Sequence, residues 1–444
     1  MNGQTGASAD LLLRRVVESS INSVRPSTLF DRSFHLSGST LDAFGIPVDM
    51  GLHKRVKCLA LGKSAEAMTF EVRRILGSRV TGIVATPVAK HLELEGFEFI
   101  RTGHPLPDEA SVKAGEAVRD LVRGAGQEDL LLFLISGGGS ASIFVPVEGV
   151  SLEETNELTK SLFDSGVPID KINLVRRHLS KNAGGKLASL APKQKKLSLV
   201  ISDVVGDDLS SIASGPTVRD ETSAAEALDF LDRSGLLAHA PVSIPAALKR
   251  EHSARSKWDF ENSTVKIIAS NHDALNAAVQ VGLKGGFNTT FLTRFWESDA
   301  KEAARFIVSI ARSIELDNTP LSIPALFLAG GETTVRLSGN GKGGRNQHMV
   351  LCALSELAKI DPIGAVLNRT TVFSFGTDGK DGNSEAAGAS ASLATLREVG
   401  GGPREIEDYI ARNDSNTFFA KHGGLITTGP TDTNVMDIFG IIIV

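Results

Sequence analysis

The sequence predicts an α/β protein, a Rossmann-like and largely parallel sheet domain followed by a smaller α/β domain. Two observations carry that prediction. Short, nearly continuous apolar runs alternate with segments of helical period along the 444 residues, a pattern that belongs to parallel sheets covered on both faces. The length also exceeds the roughly 250–300 residues at which a single core stops growing, so two domains are expected.

The first apolar run is RVKCLALG (55–62), followed by the helical KSAEAMTFEVRRILG (63–77) and the strands TGIVATP (81–87) and GFEFIRTG (96–103). A helix opens within HPLPDEASVKAGEAVRDLV (104–122), with Pro107 near its first turn. DLLLFLISGGGSAS (129–142) is a buried strand that stops on three glycines. Ser151 with Glu154 three residues on marks a capped helix start, and KKLSLVISD (195–203) is another buried strand. Residues 251–263, EHSARSKWDFENS, are polar without a clear period. The boundary is placed there, giving domains 1–258 and 259–444. TVKIIAS (264–270), a helix over 271–286, FNTTFLTRF (287–295), a helix from Ser298 to Leu316 and two close strands, ALFLAGG and ETTVRLSG, restart the pattern. A helix over 345–360, the strand TTVFSFGTDG (370–379), a helical stretch near 391–400 and the closing LITTGPTDTNVMDIFGIIIV complete it.

Composition excludes several function classes. Net charge is −5, and one Tyr with two Trp supplies few stacking platforms, so no nucleic-acid partner is expected. No run reaches the roughly 18 apolar residues of a membrane span. Two cysteines, Cys58 and Cys352, offer neither a disulfide framework nor a zinc cluster. The opening segment, with Asp10 and Glu18 among its basic residues, lacks the features of a leader peptide, which points to a cytoplasmic protein.

The strand ends collect the chemistry. Gly137, Gly138 and Gly139, flanked by Ser136 and Ser140, either form a tight turn that needs positive φ or aim several peptide NH groups at one anion. Gly62-Lys63-Ser64 fails as a phosphate loop of the Walker type, because Lys57 stands where its first glycine belongs. Lys63 is either a solvated lysine or a phosphate ligand. Asp203, Asp207 and Asp208 follow a strand, as polar loop and helix cap or as magnesium ligand and proton acceptor. Gly339 to Gly344 spell Gly-x-Gly-x-x-Gly, yet the next strand-end acid, Asp378, lies well past the ~20-residue offset of a dinucleotide site. Arg345 at the start of the following helix suggests a cation for phosphate oxygens, and a simple hairpin is the plain alternative. Arg176 or Arg177 can clamp a carboxylate. A glycine cradle, a Lys, an Arg and strand-end carboxylates together are what phosphoryl transfer needs. No Ser-His-Asp elbow, zinc set or reactive cysteine competes.

The motifs LGKSAEAM, TGHPLPDE, LISGGGSAS, KINLVRRHLSKNAGGKLA, LVISDVVGDDLSSIASGPTV, GGETTVRL, GKGGRNQ, GTDGKDG and TTGPTDTNV resemble the glycerate 2-kinase family, whose C-terminal part is the MOFRL domain. The resemblance runs from about Leu11 to Asp437, with the MOFRL region at about 322–440. It implies ATP-dependent phosphorylation of D-glycerate on its 2-hydroxyl, with magnesium, in a cleft between two domains, by a monomer or homodimer. By the same resemblance, Lys63 and Arg345 neutralise the moving phosphoryl group. Ser136, Gly137, Gly138, Gly139 and Ser140 cradle phosphate, and Asp203 serves magnesium or the glycerate hydroxyl. Asp207, Glu332 and Asp378 attend the nucleotide, Asp378 also as a metal ligand, while Arg176 and Asn173 hold glycerate. Two departures stand out. The family pattern has an acid where this chain has His348, and commonly a glycine where it has Asp432, which puts nucleotide or metal handling in question. The rival expectations are an NAD(P)H-dependent hydroxypyruvate reductase using Gly339–Gly344, and a non-catalytic sensor of phosphorylated metabolites.

Overall fold

Every residue of the strand Asp129–Ile135 is buried, as its unbroken Leu, Phe and Ile run requires of a strand covered on both faces. The computed structural model describes residues 2–88, 93–253, 260, 262–361, 364, 366–400 and 402–444, with side chains from residue 9 onward except at 252 and 253. It places this strand within a six-stranded sheet ordered Phe97–Arg101, Val80–Thr86, Arg55–Leu61, Asp129–Ile135, Lys195–Ile201, Ser263–Ala269. In sequence terms the order is 3-2-1-4-5-6, and the pairings among the first five strands are parallel. The order reverses between Arg55–Leu61 and Asp129–Ile135. Such a switch point opens a crevice at the carboxyl ends of its two strands.

Helices Ala65–Leu76 and Glu109–Arg123 bury Val72, Leu76, Ala114, Val118 and Val122 against the sheet. Each fully buried aliphatic side chain contributes about 1.5–3 kcal/mol. The capping box expected at Ser151 and Glu154 forms, and a second one, Asp108 with Ser111, starts the helix after Pro107. A three-stranded meander, Phe34–Ser37, Thr40–Ala43 and Ile46–Asp49, was not foreseen. Its strands are four residues long, too short for a clear period, and turn at Gly38 and Gly45, both at positive φ.

The chain divides into two compact units, Pro26–Ile268 and a second made of Met1–Arg25 with Ala269–Val444. This corrects the expected boundary near residue 258, because Ser263–Ala269 pairs as the sixth strand of the first sheet. The opening helix Asn2–Ser23 also belongs to the second unit. It buries Leu12, Leu13, Val16, Val17 and Ile21, packs on helix Asn271–Lys284, and just beyond it the Val24 carbonyl accepts from Thr433 Oγ1.

The second unit is built on a mixed sheet ordered Asn288–Phe291, Ala325–Thr334, Asp437–Ile443, Thr370–Gly376, Gly388–Ser392, Leu425–Ile426, with Trp296–Asp299 also pairing alongside Ala325–Thr334. Asp437–Ile443 runs antiparallel between two neighbours, with every side chain buried. ALFLAGG and ETTVRLSG, expected as two strands, make one strand ending at Thr334. Gly331, at φ +144, lets the chain continue, since a Cβ there would lie 2.2 Å from the Trp296 carbonyl oxygen.

Candidate active site

At the switch point of the first sheet, the turns after Leu61 and Ile135 are pressed together. A Cβ on Gly62 would lie 2.4 Å from the Ser136 carbonyl oxygen. The amide of Ser136 and its hydroxyl both donate to Leu61 O (3.0 and 3.1 Å), the hydroxyl accepts from Ser64 N at 3.0 Å, and Lys63 N donates to Gly137 O at 2.8 Å. Ser136 therefore ties two turns to each other, and its hydroxyl is occupied in doing so. Lys63 is left at the mouth of helix Ala65–Leu76. Ser64 Oγ, buried there, has no hydrogen-bond partner among the described residues.

Each glycine of the next turn is vacated for a different neighbour. A Cβ on Gly137 would fall 1.6 Å from Asp203 Oδ2. On Gly138, at φ +85, it would meet His104 Cδ2 at 3.2 Å and Lys63 Cγ at 3.5 Å, and on Gly139 it would meet the Ala213 methyl at 2.8 Å. Lys63, His104 and Asp203 thus converge on one turn. The carbonyls of Gly137 and Gly138 accept from Lys63 N and Ser142 N, whereas their amides donate to no group among the described residues. Ala213 and Ser214 take left-handed φ of +50° and +59°. Backbone strain of this kind costs about 1–3 kcal/mol per residue and concentrates at functional sites. Here it brings Ser214 Oγ to 2.7 Å from Ser140 Oγ.

Arg176 adjoins that pair. Its side chain shares a cavity of about 10 Å³, roughly one water, with Ser140, Ser214 and Asn182. The residue is only 8% exposed, and its Nη2 has no hydrogen-bond partner among the described residues. Burial lowers its pKa to about 10, so it remains a cation at pH 7. A buried cation lacking a full set of acceptors is costly unless an anion arrives. Arg177 is the structural member of the pair, ion-paired to Asp220 at 3.3 Å and donating to Ser210 O at 2.7 Å. Asn173 lies one turn earlier on helix Ile169–His178, partly buried, and does not line the Arg176 cavity. Lys181 lies beyond the end of this helix. His104, which sequence reasoning passed over, has its pKa lowered to about 4 by burial, then by the charges of Lys63 and Arg176. It is neutral at pH 7. Asp207 sits at φ +58 in the loop after Lys195–Ile201, and Asp208 is taken up by Ser210 and Ser211.

The other predicted residues gather in the second unit. Arg345 donates to Asp437 through Nε (2.6 Å) and Nη2 (3.1 Å), and to Glu332 through Nη1. Burial opposes its charge, but Asp437 and then Glu332 outweigh that and raise its pKa. Asp378 Oδ1 and Asp437 Oδ1 both flank Gly376, at 3.2 and 3.4 Å from where its Cβ would be. Asp381 accepts from the amides of Asn346 and Gln347 at the start of helix Arg345–Ile360. Burial, only partly offset by those amides, raises its pKa to about 6. Asp437 was missed because it carries no motif of its own; it is recognisable only once its strand end and the helix start are adjacent.

The turn at Gly339–Gly344 is not an anion cradle. The amides of Gly339, Gly341, Lys342 and Gly343 donate to Asn413 Oδ1, Arg412 O, Asp414 Oδ1 and Asn383 Oδ1. Its glycines make room for main chain and side chains at 381–382 and 412–415. The dinucleotide reading loses its phosphate donors. Asp432 lies at φ +64, where glycine is favoured and Asp is tolerated, which accounts for that departure without invoking function.

A doubly wound sheet with Lys, Asp, His and Arg around amides unbonded among the described residues at its switch point defines an α/β protein and its candidate site. Family comparison narrows the class. A model described as "Domain of unknown function (DUF4147)" matches residues 12–249, and the MOFRL family model matches residues 325–437. The chain belongs to the family that joins these two regions, and it is similar to glycerate kinases along nearly its whole length. It is 38% identical over 396 residues to a D-glycerate 2-kinase of Thermotoga maritima, covering 88% of this chain and 91% of that protein. It is 32% identical over 481 residues to a glycerate kinase of Homo sapiens (96% and 91% covered). A relative from Agrobacterium vitis, 36% identical over 397 residues with 88% of each chain covered, carries the provisional name hydroxypyruvate reductase. The crystal structure of the Thermotoga maritima glycerate kinase superposes with a TM-score of 0.83 at 34% identity, covering 98% of this chain and 99% of that one. Among the described residues no helix is long and apolar enough to cross a membrane.

Proposed function

We propose that this protein is an ATP-dependent kinase that transfers a phosphoryl group to the 2-hydroxyl of D-glycerate, giving 2-phosphoglycerate and ADP. The observation that carries the reading is the buried Arg176 cation with its free Nη2 beside the Ser140–Ser214 hydroxyl pair, a set of groups suited to receive one oxygen of a small carboxylate. Charge-assisted hydrogen bonds of this kind are about twice as strong as neutral ones. The reductase reading lacks a comparable feature, since the amides it needs at Gly339–Gly343 are already bonded.

With the carboxylate on Arg176, the chemistry falls to groups around Gly137–Gly139. The 2-oxygen bonds to the γ-phosphorus as the bond to the β,γ-bridging oxygen breaks and ADP leaves. Asp203 takes the hydroxyl proton, and Lys63 with the amides of Gly137 and Gly138 stabilises charge on the phosphoryl oxygens. His104, neutral, adds a hydrogen-bonding group without competing as a cation. Arg345 is assigned to the donor's phosphates, its guanidinium held in place by Glu332 and Asp437.

Among the described residues no three His, Cys, Asp or Glu side chains group as metal ligands. A magnesium ion carried by nucleotide phosphates needs only one or two carboxylates, and either Asp203 or Asp378, each a single acid at a turn beyond a strand end, fits that demand. Magnesium would shield charge on the transferred group.

The test is purified protein with D-glycerate, ATP and magnesium, coupled to enolase without phosphoglycerate mutase. Phosphoenolpyruvate formation is expected. ADP without phosphoenolpyruvate would place the phosphate elsewhere, and absence of both would end the kinase reading.

A further inference from the structure

Of the cavity beside the second glycine turn, the chemistry above uses Arg345 alone. The cavity encloses about 480 Å³, within the range of small-molecule pockets. Its wall includes Val335, Leu337, Gly341, Gly344, Asn383 and His348.

Three features narrow what it takes. Arg345 is its only charged lining residue among those described, and it is already paired with Glu332 and Asp437, while the turn's amides are bonded internally. The lining therefore suits an uncharged group. Glycine faces without side chains present flat surfaces to a ring, and beside them Leu337 is left 75% exposed. An apolar side chain stranded in solvent at the lip of a cavity suits a planar, largely apolar partner. His348 supplies the polar feature. It is nine-tenths buried, lines the cavity, and its Nδ1 has no hydrogen-bond partner among the described residues. Burial lowers its pKa, with Asp299 and Lys301 acting on it in opposite directions. The neutral ring offers one donor and one acceptor, matching the edge of a heteroaromatic base.

We infer that this cavity holds the base of the nucleoside triphosphate that donates the phosphoryl group, with His348 hydrogen-bonding the base edge. The inference rests on the kinase reading. It adds that the C-terminal unit, through a neutral pocket, selects the donor's base.

Photolabelling of the full chain with 8-azido-ATP and magnesium, followed by peptide mapping, tests the location. ATP-protectable label is expected within 335–348 or on Gly382 and Asn383. His348→Phe should raise KM for ATP about tenfold, the loss of one good hydrogen bond, with KM for D-glycerate changed less than about twofold. His348→Asn, which retains a polar atom near the Nδ1 position, should stay within about threefold of wild type. Protectable label confined to Pro26–Ile268, or an unaltered KM for ATP in His348→Phe, overturns the inference while leaving the kinase reading in place. If the wild type releases no ADP with D-glycerate, the kinase reading fails, and the labelled peptide then decides the cavity by itself.

Discussion

At Gly137–Gly139 and at Gly339–Gly344 the chain passes from a buried strand towards a helix through glycines, yet the missing side chains make room for different things. Around the first turn the space is taken by Asp203, His104 and Lys63, and the amides of Gly137 and Gly138 stay unbonded among the described residues. Around the second the space is taken by residues 412–415 and 381–382, and the amides of Gly339, Gly341, Lys342 and Gly343 are satisfied internally. Counting glycines does not separate an anion site from a packing device. Asking where each amide points does.

The largest effect that would break this contrast is expected at Gly137. Gly137→Ala puts a methyl where Asp203 Oδ2 now lies, and displacing a reacting group by about 1 Å costs on the order of a hundredfold in turnover. Because the clash is with the end of a side chain, the melting temperature should barely move; equal losses of stability and turnover would argue against a special role for Asp203. Arg345→Ala behaves differently from what a purely catalytic arginine implies. It strands Asp437, which is 2% exposed, and removing one member of a buried pair costs about 3–5 kcal/mol. Chemical denaturation should show that loss and its partial recovery in Arg345→Ala with Asp437→Asn. At the second turn, Gly341→Ala drives a Cβ to 2.6 Å from the Arg412 carbonyl oxygen, which should cost about 1–3 kcal/mol in stability by chemical denaturation, with KM for D-glycerate preserved.

The smallest effect is a pH dependence. The folded pKa of His104 lies below its unfolded value of 6.5, at about 4, so the unfolded chain binds more protons between those limits. His104 therefore leaves stability intact above pH 6.5 and reduces it as pH falls towards 4. Melting curves of His104→Gln should lose less than wild type over that window. Asp381 acts in the opposite sense, its folded pKa of about 6 favouring the fold at low pH, so the comparison must be between His104→Gln and wild type at each pH.

Much of this was legible before any coordinates. The first sheet was readable because strands buried on both faces write themselves as unbroken apolar runs, Leu130 to Ile135 most clearly. The strand-end rule then pointed to Lys63, Gly137–Gly139 and Asp203. What stayed hidden depends on tertiary adjacency. Helix Asn2–Ser23 has an apolar stripe, but nothing in it says which unit will cover it. Arg176 and Arg177 are neighbours of one type, and only the position of Asp220 assigns one to structure and frees the other. The same holds for Arg345, whose two carboxylate partners lie 13 and 92 residues away.

The central claim is that unsatisfied amides at Gly137 and Gly138, and not those of Gly339–Gly343, face the phosphoryl group in transfer. It is tested most directly by titrating deuterated, ¹⁵N-labelled protein with 2-phosphoglycerate, which carries that phosphoryl group, and following backbone amides by TROSY NMR. Saturable shifts are predicted at Gly137, Gly138 and Ser140, with none at Gly339, Gly341 or Gly343. Shifts confined to the second turn would contradict the account.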